Sequence, residues 1–143
     1  GSTARARQFA MKLGVNLAIV DKRREKANQS EVMNIIGNVR DKTCIMLDDM
    51  VDTAGSLCGA AKALIDVGGA KEVYACATHG VLSGSALERI EASPIKELLF
   101  LDTIPFPKDK VMPEKIQYLS TAPVFAEAIR RIYEEVSISS IFE

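Results

Sequence analysis

The stretch TCIMLDDMVDTAGSL, residues Thr43–Leu57, decides the fold, because an apolar run, an acidic cluster and small residues follow one another in it. Thr43–Leu47 is continuous and apolar, as expected for a strand that is covered on both faces of a parallel sheet. The segment from Asp48 to Gly55 interrupts this strand. Apolar residues at helical spacing follow it, namely Leu57, Ala60, Ala61 and Leu64. The stretch therefore predicts a strand, a loop and a helix in that order.

The same alternation continues on both sides. Helical spacing of apolar residues predicts helices over 3–13, 83–92 and 125–133. Short apolar runs predict strands over 16–20, 32–36, 73–77, 98–101 and 116–119. The charged run DKRREK, residues 21–26, has no periodicity and predicts a loop. Together these patterns predict an α/β fold, a three-layer domain with a mostly parallel central sheet flanked by helices. We expect one domain over residues 3–143, with Gly1 and Ser2 as a candidate cloning remnant.

The composition excludes several classes of protein. The chain has 143 residues, and 18 Lys and Arg nearly balance 19 Asp and Glu, so the net charge is -1. This balance argues against broad electrostatic binding to nucleic acid or to an anionic membrane. No apolar run approaches the ~20 residues that span a bilayer. The spacing of Cys44, Cys58 and Cys76 fits neither a disulfide framework nor a zinc site, so we expect reduced, buried thiols in a cytoplasmic protein.

The small residues after the predicted strand indicate an anion site. In an open α/β sheet, ligands bind beyond the carboxyl ends of the strands. Thr53, Ala54, Gly55 and Ser56 stand there and open a helix, where backbone N–H groups are unpaired and the helix dipole is positive. Such a segment can hold a phosphate group.

The acidic residues before this segment suit a different part of a ligand. The carboxylates of Asp48 and Asp49 would repel a phosphate group, but they suit a vicinal diol such as ribose O2 and O3, or a magnesium ion. The combination predicts a ribose-5-phosphate site. The alternative is a helix-capping turn with solvated aspartates, because acidic and small residues also favour turns.

The motif LDDMVDTAGSL, residues 47–57, resembles the phosphoribosyl-pyrophosphate motif of type I phosphoribosyltransferase folds. Its Asp-Asp-x-x-Asp-Thr-Ala-Gly-Ser version is similar to the ribose-phosphate diphosphokinase branch. The resemblance runs from Thr3 to Phe142 and includes further matching segments at 21–24, 28–37, 78–80, 82–84 and 126–131. It implies the carboxyl-terminal half of a two-domain enzyme, whose amino-terminal domain is missing from this chain.

The resemblance also implies roles for individual residues. Asp48 would contact the ribose with Asp49 beside it, and Asp52–Ser56, hereafter the phosphate loop, would hold the 5-phosphate. Lys22 and Arg24 would lie in a flexible catalytic loop and approach the phosphates of ATP. The implied reaction transfers a diphosphoryl group from ATP to ribose 5-phosphate, with Mg²⁺ as the cofactor and with no residue assigned as a metal ligand.

Three further expectations depend on the resemblance. The chain alone should be inactive, because most adenine and triphosphate contacts belong to the missing half. The full-length protein should be a homo-oligomer, a hexamer in the family. The tail should contribute to a regulatory site for ADP or phosphate between subunits, through Ser137, Ser139, Ser140 and Phe142. Ser140 replaces a common Tyr in that site, and a frayed terminus is the alternative.

Particular features of the sequence distinguish between the competing classes of protein. A non-catalytic associated subunit of the same family would have a damaged phosphate loop, whereas this loop is intact together with Lys22 and Arg24. A salvage phosphoribosyltransferase would need its own pyrophosphate turn and a base-binding hood. A signalling receiver domain would leave the phosphate loop unexplained. The only histidine, His79, lacks neighbouring ligands at metal spacing, so we assign it a structural role.

Overall fold

The computed structural model describes residues 2–23 and 32–142. The helices in these ranges are α1 (Ser2–Leu13), α2 (Gly55–Asp66), α3 (Ala86–Ala92), α4 (Ala122–Tyr133) and a short 3-10 helix (Ser139–Ile141). The strands are β1 (Ile19–Arg23), β2 (Val32–Ile36), β3 (Thr43–Val51), β4 (Glu72–Gly80), β5 (Ile95–Leu101) and β6 (Ile116–Leu119).

A parallel sheet forms the centre of the fold. Its four strands lie in the order β3-β4-β5-β6, and α2 and α3 connect the first three of them. Strands β1 and β2 form a separate antiparallel pair. The predicted α/β class and the parallel sheet flanked by helices are confirmed.

Helices α2 and α3 share one hydrophobic core with the sheet. Alternate residues of β4 are buried, as are Leu98 and Phe100 of β5. Buried apolar residues of the two helices belong to the same cluster, namely Leu57, Ala61, Leu64, Ala86 and Ile90. Full burial of a side chain such as leucine or phenylalanine contributes about 1.5–3 kcal/mol. This packing fixes the start of α2 beside the carboxyl ends of β3 and β4.

The prediction for the charged run 21–26 was wrong in part. Residues 21–23 belong to β1, which begins at Ile19, and Lys22 pairs with Met33 of β2. Antiparallel pairing satisfies the backbone groups whatever charges the side chains carry. Strand β1 lies outside the parallel sheet, so residues 21–23 are not part of that sheet. Arg24 lies outside the described residues.

The outer helices expose their apolar stripes. The predicted helices α1 and α4 are present, but Phe9 and Leu13 are 55% and 60% exposed, and Phe125 and Ile129 are 63% and 66% exposed. Helical spacing therefore predicted the element correctly, although this chain does not bury the stripe. Among the described residues, no helix has the length and apolar character needed to cross a membrane.

The tail packs against the end of α4 and is not frayed over its described residues. Arg131 donates hydrogen bonds to the carbonyl oxygen of Ser137 at 2.9 Å and to the hydroxyl of Ser140 at 2.6 Å. The backbone N–H of Ser139 donates to the Ser137 hydroxyl at 3.2 Å. Phe142 is exposed. The regulatory role of these residues stays a prediction.

The cysteines are unpaired, as predicted. Cys44, Cys58 and Cys76 are free thiols, and each is half-buried rather than buried. Burial raises the pKa of all three thiols above the usual value. A raised pKa leaves little thiolate at neutral pH, which fits unreactive structural thiols.

Candidate functional site

The acidic cluster lies on a strand, not in a loop. Strand β3 continues to Val51, because Asp48 pairs with Ala77 of β4 and Val51 pairs with Gly80. The predicted interruption at Asp48 was therefore placed too early. The carboxyl groups of Asp48 and Asp49 lie close enough to interact, because, after burial, Asp49 is among the causes that raise the pKa of Asp48.

The two carboxylates differ in burial. Asp48 is half-buried, and it accepts a hydrogen bond from the backbone N–H of Asp49 at 2.9 Å. Its pKa is raised, chiefly because burial disfavours the charged form. Asp49 is exposed, and its carboxylate lies 3.7 Å from the guanidinium of Arg5 on α1. Of the pair, Asp48 has the environment of a ligand-binding carboxylate.

The phosphate loop turns sharply into α2. Ala54 is buried and has the left-handed conformation, with φ 60°, and the helix begins at Gly55. The carbonyl of Ala54 accepts the first helical hydrogen bond, from the N–H of Cys58 at 2.9 Å. Within the described part of the chain, no acceptor is found for the backbone N–H groups of Thr53–Ser56. These donors stand at the positive end of the helix dipole and are available to an anion.

A cavity of about 220 Å³ joins these features. Its lining residues are Asp48, Met50, Val51, Asp52, Thr53, Ala54, Ser56 and Leu57. The structure thus brings five predicted site residues together, whereas Asp49 and Gly55 do not line the cavity. A larger cavity, about 350 Å³, lies between β2 and the end of α2, and no predicted site residue lines it. We assign the site to the smaller cavity because it combines unpaired amides with a carboxylate.

Two residues that the sequence did not single out also contact the phosphate loop. Ser83 donates from its hydroxyl to the Asp52 carboxylate and from its backbone N–H to the Asp52 carbonyl at 3.1 Å. Arg89 donates from Nη1 to the Thr53 carbonyl at 2.8 Å. We call residues 81–89 the supporting segment.

The supporting segment also corrects one helix boundary. The sequence predicted a helix from Ser83, but α3 begins at Ala86. Leu82 and Gly84 both have positive φ, 55° in each case, so regular helix cannot begin before them. No local pattern in the sequence predicts these contacts, because Ser83 is 31 positions from Asp52 and Arg89 is 36 positions from Thr53. Only the parallel topology brings them together.

His79 has a hydrogen-bond partner at the same edge of the sheet. Its Nδ1 lies 2.8 Å from the hydroxyl of Thr103, and that hydroxyl donates to the carbonyl of Thr78 at 2.9 Å. The Thr103 proton is therefore used, so Nδ1 of His79 is the donor. This arrangement supports the structural role assigned to His79.

The geometry limits what this chain could offer to Mg²⁺. Over residues 2–23 and 32–142, no group of three or more His, Cys, Asp or Glu side chains could hold a metal ion. Asp48 and Asp49 are neighbours whose carboxyl groups interact, but the described residues place no third ligand of these types beside them. A single carboxylate such as Asp48 fits magnesium only when phosphate oxygens and water complete the octahedron.

The fold is that of an α/β protein in which unpaired backbone amides open α2 beside a carboxylate, and comparisons with known proteins give the family. The model of the phosphoribosyl synthetase-associated domain matches residues 23–143, and the chain belongs to this family.

The relatives agree with this assignment. A ribose-phosphate pyrophosphokinase of Clostridium tetani is 59% identical over 143 residues, covering 100% of this chain and 44% of the relative. One of Campylobacter jejuni is 55% identical over 142 residues, covering 99% of this chain and 45% of the relative. The crystal structure of phosphoribosylpyrophosphate synthetase from Mycobacterium smegmatis is similar with a TM-score of 0.78 and 38% identity, covering 92% of this chain and 42% of the other. The chain thus spans less than half the length of these relatives.

Proposed function

We propose that the chain is the ribose-5-phosphate-binding, carboxyl-terminal domain of a ribose-phosphate diphosphokinase with a type I phosphoribosyltransferase fold. One observation carries the proposal: unpaired amides at the start of α2 and the half-buried carboxylate of Asp48 line the same cavity. The two chemistries match the two ends of a sugar phosphate. The amides and the hydroxyls of Thr53 and Ser56 donate to the phosphate, and Asp48 accepts from ribose hydroxyls.

The reaction in this proposal is a group transfer. The C1 hydroxyl oxygen of ribose 5-phosphate bonds to the β-phosphorus of ATP, and the hydroxyl proton is released. The bond from that phosphorus to the oxygen it shares with the α-phosphorus breaks, so AMP leaves and phosphoribosyl pyrophosphate forms. Negative charge develops on the transferring and leaving oxygens, where positioned cations are most effective.

Lys22 and Arg24 are our candidates for those cations. Lysine offers a compact charge, and arginine offers a planar pair of donors that fits phosphate oxygens. Mg²⁺ bound with ATP supplies further positive charge to the triphosphate. We assign adenine binding to the part of the protein outside this chain, and we propose a cytoplasmic homo-oligomer for the full-length protein.

Binding of ribose 5-phosphate tests the site. The chain labelled with ¹⁵N is titrated with ribose 5-phosphate, and backbone amide shifts are followed by NMR. The largest shifts are expected at Thr53–Ser56, and Asp52→Ala should weaken the response because it removes the acceptor of the Ser83 hydroxyl. Asp109→Ala, in an exposed loop, is the matched control. Unchanged binding by Asp52→Ala would argue against the site.

The activity of the isolated chain is a separate test. Incubation with MgATP and ribose 5-phosphate should release no AMP above a blank without the protein. AMP formation would show that the ATP-binding residues lie within this chain, contrary to the proposal.

A further inference from the structure

Three successive carbonyl groups before α2 are held by the supporting segment. The Val51 carbonyl accepts from the N–H groups of Val81 at 3.0 Å and Leu82 at 3.2 Å, and the Asp52 carbonyl accepts from Ser83 at 3.1 Å. The Thr53 carbonyl accepts from the Arg89 guanidinium at 2.8 Å. Of these four hydrogen bonds, only the one to Thr53 is made by a side chain.

Because the peptide group is planar, a contact that holds its carbonyl also fixes the direction in which its N–H group points. In a trans peptide group the N–H points opposite to the C=O, and the described residues contain no cis peptide bond. Holding the carbonyls of Val51, Asp52 and Thr53 on one side therefore directs the N–H groups of Asp52, Thr53 and Ala54 to the other side. Thr53 and Ala54 line the candidate cavity and have no acceptor for their N–H groups in the described chain.

The hydrogen bond from Arg89 is made to the peptide group that precedes the left-handed residue of the loop. It fixes the Thr53–Ala54 peptide, and Ala54 has a left-handed conformation that disfavours a residue with a Cβ atom. Without Arg89, that peptide group could rotate and aim its carbonyl, rather than its N–H, at the ligand. A carbonyl oxygen facing a phosphate oxygen is repulsive, so the loss would be larger than that of one donor.

Arg89 also brings a positive charge to an acidic neighbourhood. The cavity is lined by the carboxylates of Asp48 and Asp52. The guanidinium nitrogen Nη1 of Arg89 lies 3.8 Å from the position that a Cβ atom on Gly55 would occupy, and Gly55 is the first residue of α2. A cation hydrogen-bonded to the Thr53 carbonyl polarises that peptide and strengthens the Ala54 N–H as a donor.

We propose that Arg89 is a positioning residue that aims the Ala54 N–H at the 5-phosphate and sets the affinity of the site for it. This inference rests on the proposed function of the loop. It assigns to a residue of α3, outside the sugar-phosphate motif, the control of phosphate binding.

The test compares Arg89→Met with Lys115→Met. Lys115 caps the carboxyl end of α3 by donating to the carbonyls of Ile90, Glu91 and Ser93, and among the described residues it makes no contact with the phosphate loop, so its loss weakens the same helix without touching that loop. Dissociation constants for ribose 5-phosphate and for inorganic phosphate are measured together with the Ala54 amide shift and the melting temperature. Arg89→Lys is included because it keeps the charge and one donor.

Arg89→Met should bind both ligands about ten- to a hundredfold more weakly, the range for loss of a charge-assisted hydrogen bond, and should lose the ligand-induced shift of Ala54. Lys115→Met should melt earlier yet bind with wild-type affinity. Arg89→Lys should lose less affinity than Arg89→Met, and it carries the test if the methionine variant does not fold.

The outcomes separate the two proposals. If the wild-type chain binds ribose 5-phosphate at Thr53–Ser56 and both Arg89 variants bind equally well, the inference is overturned and the proposed function stands. If the affinity of Lys115→Met falls as much as that of Arg89→Met, a general loss of helix stability explains the effect and the inference fails. If the wild-type chain gives no response in the loop, both proposals fail.

Discussion

The hydroxyl of Ser83 donates a hydrogen bond to the carboxylate of Asp52, across 31 positions of sequence. This contact holds the acidic side chain at the edge of the phosphate loop against the supporting segment. It gives the Asp52 carboxylate a donor and links the phosphate loop to the supporting segment.

Replacing Ser83 by alanine therefore tests the role of the supporting segment. Ser83→Ala should lower the free energy of unfolding by about 1 kcal/mol and weaken ribose 5-phosphate binding by about tenfold, because the Asp52 carboxylate loses its donor. Chemical denaturation and calorimetric titration measure the two effects. Ser85→Ala is the matched control, since Ser85 is exposed and makes no side-chain cap to α3. Equal behaviour of the two variants would contradict this role.

We expect ionised Asp48 to destabilise the folded state, although the same carboxylate contributes to ribose 5-phosphate binding. Its folded pKa is raised, chiefly by burial, so the unfolded chain loses this proton at lower pH than the folded chain. Ionisation therefore favours the unfolded state, and the contribution of Asp48 to stability falls as the pH rises from the unfolded pKa through the folded pKa. Asp48→Asn should raise the denaturation midpoint at neutral pH and weaken ribose 5-phosphate binding.

The pH dependence checks this assignment. The gain in midpoint from Asp48→Asn should shrink as the pH falls below the unfolded pKa, where both states of the wild type are protonated. Asp109→Asn, an exposed loop variant with the same change of charge, should show no such gain. A stability loss for Asp48→Asn at neutral pH would contradict the account.

Lys115 ties the beginning of β6 to the end of α3. Its ammonium group donates to the carbonyls of Ile90 at 3.2 Å, Glu91 at 2.9 Å and Ser93 at 3.2 Å. Lys115→Met should lower the free energy of unfolding by about 1–3 kcal/mol, because carbonyls at the end of the helix lose a charged donor. Thermal unfolding measures the change, with the exposed loop variant Lys110→Met as the control. A melting temperature equal to that of the control would show that the three contacts contribute nothing.

Asp102 fixes the entry to α4 in a pH-dependent way. Its carboxylate accepts from the N–H and the hydroxyl of Thr121 at 2.7 Å each and from the Ser120 hydroxyl at 2.8 Å. The Thr121 hydroxyl is the largest cause of the lowered pKa of Asp102, followed by the Thr121 N–H. A lowered folded pKa gives stability that is present above the unfolded pKa and is lost as the pH falls through the folded pKa.

Asp102→Ala should therefore lower the denaturation midpoint at neutral pH, and the difference from wild type should disappear in acid. Denaturant titrations over a series of pH values measure this convergence. Asp109→Ala, the same substitution in an exposed loop, controls for the loss of a carboxylate alone. A difference that persists unchanged in acid would exclude the assigned hydrogen bonds as its cause.

The sequence predicted elements whose signal is local. The apolar run at Thr43, the stripe after Gly55 and the amphipathic pattern of 125–133 each identified an element that the structure contains. The predicted boundaries were wrong where strand pairing overrides composition. Asp48 and Asp49 extend β3 because β4 lies alongside and pairs with it, and Asp21 joins β1 because β2 pairs with it. Such pairing depends on residues distant in sequence.

The sequence was sufficient to predict the residues that line the candidate site, but not the residues that hold them in place. Asp48 and Thr53–Ser56 could be selected because carboxylates and small residues at a helix start have a defined chemistry. Ser83 and Arg89 could not, because a serine before a helix and an arginine on it have many roles, and only the fold brings them to the loop. The predicted roles of Lys22 and Arg24 stay predictions.

The account depends on the amides of the phosphate loop, and a crystal of the chain soaked with ribose 5-phosphate tests them most directly. We expect phosphate oxygens about 2.7–3.2 Å from the backbone nitrogens of Thr53–Ser56, the normal range for such hydrogen bonds, with a ribose hydroxyl on Asp48. A sugar phosphate bound elsewhere, with this cavity empty, would contradict the central claim.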